Sequence, residues 1–226
     1  MISIKNLKSS EGSGLPKVIA PGNVVCKINS IKLETPSYDM NASFLVMNVE
    51  TEPLENFEGF YIDKNNPDAG RHLGQVGKVK TNEYAYKDGT TKTGIEVYRQ
   101  NDILKALESL ARNTNSYKWM EENDGVFETI EEYVEKFNED APFKDKFVMM
   151  CIGGKEYTNK DGYTNHDLFL VRNQRGVYNM APVENAANVI AFDKDLHIKK
   201  KKVENLDSFG SGNVATSSSV SGDFEL

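Results

Sequence analysis

GNVVCKINSIKLE, residues 22–34, is the stretch on which the reading of the fold turns. Val24, Cys26 and Ile28 fall on one parity, the period of a half-buried strand. Ile31 and Leu33 then continue the pattern on the opposite parity. A slip of one residue near Asn29 and Ser30 predicts a β-bulge or a strong bend.

Working outward, PSYDMN (36–41) is turn chemistry and SFLVMNVET (43–51) reads as a second strand. FEGFYID (57–63) reads as a third, and KNNPDAGRHLG (64–74) as a loop. The run 75–99 reads as a long hairpin turning at Lys87, Asp88 and Gly89, because Asp-Gly is a strong hairpin signal. On its first arm Lys78, Lys80, Asn82, Tyr84 and Tyr86 share one parity and are expected on one face.

NDILKALESLARN (101–113) carries an apolar helical stripe at Ile103, Leu104, Leu107, Leu110 and Ala111, with Asn101 or Asp102 as cap. A second helix is expected over 129–139. Thr129 and Glu132 form a capping box, Ile130, Tyr133, Val134 and Phe137 give the stripe, and Pro142 stops it. Residues 144–173 read as another hairpin, with strands over 147–152 and 165–172 and a turn at Lys160, Asp161 and Gly162. A short element is expected near 186–192.

Three strands, an extra hairpin, two helices and a final hairpin predict a mainly β, α+β fold. The expected architecture is an OB-fold-like five-stranded barrel, which carries its helix between the third and fourth strands. The expected organisation is a flexible arm over 1–21, the OB-like domain over 22–202 with its helical insertion at about 101–140, and a disordered acidic tail over 203–226.

The net charge of −7 hides a segregation. Residues 119–140 hold nine acids and one base, and 203–226 hold four acids and no base. The remainder has 26 bases against 21 acids, a mildly basic body that suits a polyanion. No stretch approaches the ~20 apolar residues of a membrane span, and 1–17 lack the apolar core of a secretory signal, so a cytoplasmic, membrane-free protein is expected. Cys26 and Cys151 lie in apolar strand-like runs and read as reduced core residues.

Little points to catalysis. His72, His166 and His197 are not at metal-ligand spacing, and GSGLPK (12–17) and IGGKEYT (152–158) have glycines without phosphate-loop spacing. The acid pairs Glu121–Glu122 and Glu131–Glu132 read as a solvated helical face. No enzyme, metal or cofactor is expected. Basic and aromatic residues interleave instead, as a single-strand binder requires: cations for phosphates and rings on which bases stack. Lys78, Lys80, Tyr84, Tyr86 and Lys87 form one set. Lys155, Tyr157, Lys160 and Tyr163 form the other, with Arg172 at the end of the return strand. Phe60, Tyr61 and Tyr98 read as core or strand filler, and HIKKKK (197–202) as either a solvated run or a phosphate contact.

A basic OB-type body, a Ser/Gly-rich linker and the tip Asp223, Phe224, Glu225, Leu226 together resemble the single-stranded DNA-binding proteins of bacteria and bacteriophages. The length and the helix-bearing insertion are more similar to the phage replication type. The resemblance implies a protein that coats single-stranded DNA during replication, recombination or repair, in the bacterial host cytoplasm if phage-encoded. It also implies that residues 223–226 recruit replication or recombination proteins. The family's bacterial tip has a longer acid run and ends in Pro-Phe, whereas this one has two acids and ends in Leu226. Self-association of the body stays open. So do a non-enzymatic viral interaction or virion assembly module using 129–139 and the tail, and an OB-containing nuclease or recombination mediator.

Overall fold

A computed structural model of the chain describes residues 18–55, 57–160, 162–172 and 179–200. The calls on 1–17, on Lys201 and Lys202, and on the tail with Asp223, Phe224, Glu225 and Leu226 lie outside the described residues.

The strand that opened the sequence reading is β1 (Gly22–Glu34), and its register shifts between Ile28 and Ser30. The shift lets Ile28 and Ile31, three residues apart, both point inward, 0% and 1% exposed. It also bends the strand so that β1 pairs on two sides. Its later part meets β2 (Phe44–Thr51), and its first part meets β8 (Phe147–Thr158). The bulge is pinned by side chains: Ile31 N donates to Asn138 Oδ1 at 2.7 Å, and Asn48 Nδ2 donates to Ser30 Oγ at 2.6 Å.

From β2 the sheet continues through β5 (Val76–Lys80) to β9 (Thr164–Leu170), then to β8 and back to β1, closing a five-stranded barrel. The β5–β9 pair is parallel and all other barrel pairs are antiparallel. Helices α1 (Arg99–Asn113), α2 (Tyr117–Glu122) and α3 (Ile130–Asp140) lie between the third and fourth barrel strands. This is the OB-like α+β order expected from the sequence.

Inward positions of the strands fill one core, among them Leu45, Met47, Val49, Val79, Met150, Ile152, Leu168 and Leu170. Ile103, Leu107 and Leu110 of α1, and Ile130, Val134 and Phe137 of α3, join that core. A second cluster on the outer side of β8 and β9 joins Cys151, Phe169, Val171, Ala181 and Val189. It is covered by β10 (Met180–Pro182), a 3₁₀ turn (Val183–Asn188), α4 (Lys194–His197) and β11 (Ile198–Lys199). Gly153 permits this covering, because a Cβ there would lie 2.7 Å from the Phe169 ring and 2.8 Å from the His197 carbonyl. Cys26 and Cys151 are buried free thiols, pushed up by burial to about 12 and about 11.

Several elements depart from the sequence reading. The third barrel strand is β5, not 57–63. Residues 57–74 instead build a separate arm, β3 (Phe60–Asp63) paired with β4 (Asn66–His72), so the expected loop at 64–74 is largely strand. The long hairpin over 75–99 does not form. After Lys80 the chain leaves the sheet, and only a small ribbon remains, β6 (Gly89–Thr90) against β7 (Glu96–Val97). Asp88 makes no hairpin turn; its Oδ1 accepts from Arg99 N at 2.7 Å and so serves the first turn of α1. That helix starts after Tyr98 rather than at Asn101 or Asp102. Helix α2 was not expected. In α3 the Thr129–Glu132 capping box is present in full.

Candidate nucleic-acid interface

The registers place one row of side chains on the outer barrel surface. Side chains directly opposite in neighbouring strands share a face. Lys32 opposes Val46, Val46 opposes Lys80, Asn48 opposes Lys78, and Lys155 opposes Asp167. Lys199 of β11 lies beside Lys155 on β8. Lysines from three barrel strands, β1, β5 and β8, and from β11 therefore occur on this outer surface.

Two acids divide the row. Glu34 binds Lys32 at 2.6 Å and Lys78 at 3.4 Å, and its carboxyl is held below the usual range chiefly by the Lys32 hydrogen bond. Asp167 binds Lys80, whose ammonium also sits 4.2 Å over the Phe44 ring. Lys87, Lys155 and Lys160 are exposed and have no salt bridge among the described residues.

The aromatic candidates separate sharply. Tyr157 and Tyr163 are 47% and 70% exposed, on the β8–β9 hairpin that also carries Lys155 and Lys160. Tyr84 is 66% exposed, and the neighbouring Glu83 carboxylate pushes its hydroxyl up. Tyr86 is buried, which is a correction to the shared-face reading of 78–86. Its backbone pairs with Ser43, and its hydroxyl lies 2.8 Å from Thr81 Oγ1. Thr81 still bonds Leu45 O in register, but the chain bends away over 81–84, and parity is lost before Tyr86 rejoins the barrel at Ser43. Arg172 Nη2 donates to the Tyr86 hydroxyl at 3.0 Å, so this half-buried guanidinium supports the Tyr86 corner.

Beside that corner is a cavity of about 230 Å³. Tyr84, Phe169, Arg172, His197 and Lys199 are among its lining residues. It joins an exposed ring, an apolar floor and cationic groups in one concavity, the combination that takes a base with its phosphate. Lys199, within the basic run, thus reaches the same surface as Tyr84.

Sequence reasoning missed other exposed groups. Tyr38 and Met40, in the β1–β2 loop, are 74% and 82% exposed; an aromatic inside a turn was the available signal. On the β3–β4 arm Tyr61 is exposed rather than filler, with the Arg71 guanidinium 4.5 Å over its ring and donating to its hydroxyl at 2.9 Å. Tyr98 is also exposed and donates to Glu96.

The arm is fixed to the barrel by buried Glu50. This carboxylate accepts from Asn29 Nδ2 at 3.0 Å, Leu73 N at 3.1 Å and Gly74 N at 3.4 Å, and lies 3.0 Å from His72 Nδ1 and 3.8 Å from Lys27 Nζ. Burial pushes its carboxyl up. The hydrogen bonds and the Lys27 ammonium more than offset this and hold it below the usual range. Gly74 is required at the join, since a Cβ would fall 2.2 Å from Thr51 O.

Among the described residues no group of three His, Cys, Asp or Glu side chains is arranged to hold a metal ion, and no helix is long and apolar enough to cross a membrane. Compared with family models, curated proteins and solved structures, the chain matches none.

Proposed function

We propose that this protein binds single-stranded DNA without sequence preference, as a phage-type replication, recombination or repair protein. The observation that carries the reading is the β8–β9 hairpin, where exposed Tyr157 and Tyr163 interleave with Lys155 and Lys160. Strand and loop positions of this kind are where OB barrels take oligonucleotides. Bases stack on the tyrosines, each stack contributing about 1–3 kcal/mol, and phosphates follow the lysines toward Lys78, Lys80 and the Tyr84 cavity. Residues 223–226 act as a recruiting peptide for partner proteins. The activity is binding rather than catalysis.

Anisotropy titration of labelled oligo-dT tests the reading. Submicromolar affinity that weakens steeply as salt rises, with duplex bound less well, is the expected result. Affinity independent of salt, or equal for duplex, contradicts it. No binding at all, with a stoichiometric protein partner recovered instead, moves the assignment to an interaction module.

A further inference from the structure

A sizeable concavity lies away from the barrel face, inside the helical insertion. It measures about 640 Å³ and opens between α1, α2 and the segment leading into α3. Tyr117, Met120, Phe127 and Tyr133 supply aromatic and soft apolar walls, and Glu108, Glu121 and Asp124 supply carboxylates. Behind the walls stands Trp119, the chain's one tryptophan, near-parallel to Phe127 at 6.5 Å and edge-on to Tyr133 at 5.5 Å. This groove is not suited to DNA, because it lies in the stretch where nine acids face one base.

The groove already holds one guanidinium at its edge. Arg112 lies 3.7 Å over the Tyr117 ring and binds Glu108 at 2.8 Å and 3.0 Å. An aromatic face plus a carboxylate is the pair that recognises such a cation. The same pair recurs along the groove, where the one lysine of the lining, Lys105, is paired with Asp102 instead. Glu121 and Asp124 have no salt bridge among the described residues, while Phe127 and Tyr133 line the cavity beside them. Asp124 also pushes the Tyr133 hydroxyl up after burial does, to about 12, so negative field reaches the groove floor.

We infer that this groove docks an arginine-bearing apolar segment of a partner protein, its guanidinium at Glu121 and Asp124 and its apolar side chains on Met120, Phe127 and Tyr133. The chain's own acidic stretch 203–226 is excluded as occupant by its charge. The inference stands apart from the DNA-binding reading.

Trp119 provides the readout. The full-length protein is titrated with a short peptide carrying arginines and leucines on one helical face. Two controls are an arginine–glycine peptide of equal charge and a charge-reversed peptide. Saturable one-to-one binding of the first, with a shift in Trp119 emission, is expected. The double variant Glu121→Lys, Asp124→Lys should weaken it about tenfold or more. Glu135→Lys, a single charge reversal elsewhere on the insertion, should leave it within about twofold, whereas Glu121→Lys alone should already weaken it beyond that. Circular dichroism confirms that these exposed substitutions keep the fold. Equal binding of the arginine–glycine peptide, equal loss with Glu135→Lys, or a Trp119 shift produced by oligo-dT instead, overturns the inference.

Discussion

The barrel face and the helical insertion present opposite answers to the same problem of exposed charge. On the barrel, Lys32, Lys78 and Lys80 are held by Glu34 and Asp167, so the cations are arranged in advance and partly neutralised. Near the hairpin tip Lys155 and Lys160 have no such partners among the described residues. In the insertion the carboxylates are in excess, and Glu121 and Asp124 face an aromatic groove with no salt bridge among the described residues. A net charge of −7 averages these two surfaces and describes neither. On the proposed reading, the difference assigns the two regions different partners: a polyanion on the barrel, a cationic apolar segment on the insertion.

The comparison breaks most visibly at the exposed rings. Tyr157→Ala with Tyr163→Ala should reduce oligo-dT affinity by about 2–6 kcal/mol if both stack, using about 1–3 kcal/mol for each. Thermal stability should barely move, since both side chains are largely exposed. An unchanged affinity in the titration removes the hairpin from the interface.

A smaller and opposite change is expected at the paired cations. Asp167→Asn releases Lys80 from its carboxylate and should tighten oligo-dT binding a few-fold, with a salt dependence steeper by about one ion. The same variant should alter folding stability by less than about 1 kcal/mol, because Asp167 is about half exposed. Weaker DNA binding would mean that Asp167 organises the surface rather than masking it.

How much of this was legible in the sequence depends on whether an element has a buried face. β1 does, so the parity slip between Ile28 and Ile31 announced the bulge that closes the barrel. α3 does too, and its capping box marked its first turn. The arm strand β4 is exposed along nearly its whole length and contains Pro67 and Gly70, so it carries no period and reads as loop. The run 75–86 failed for another reason. Alternation persists past Lys80 in the sequence, but the bend over 81–84 takes the backbone out of the sheet and Tyr86 returns to the core.

The candidate site divides along the same line. Lys155, Tyr157, Lys160 and Tyr163 belong to a regular hairpin, and the sequence placed them together. The Tyr84–Arg172–Lys199 cavity is assembled from three separated segments, a convergence set by the parallel β5–β9 pair and the return of β11. The insertion groove likewise needs α2, whose six residues gave no stripe to read. Its Glu121, read as part of a solvated face, is indeed exposed, and it also lines the groove.

Photo-crosslinking of oligo-dT to the full chain, with the adducts mapped by peptide mass spectrometry, tests the assignment of partners to surfaces most directly. Adducts at Tyr84, Tyr157 and Tyr163, with none at Tyr117, Trp119 or Tyr133, are the result predicted. Adducts concentrated over 117–133, with the barrel tyrosines unmodified, would contradict it.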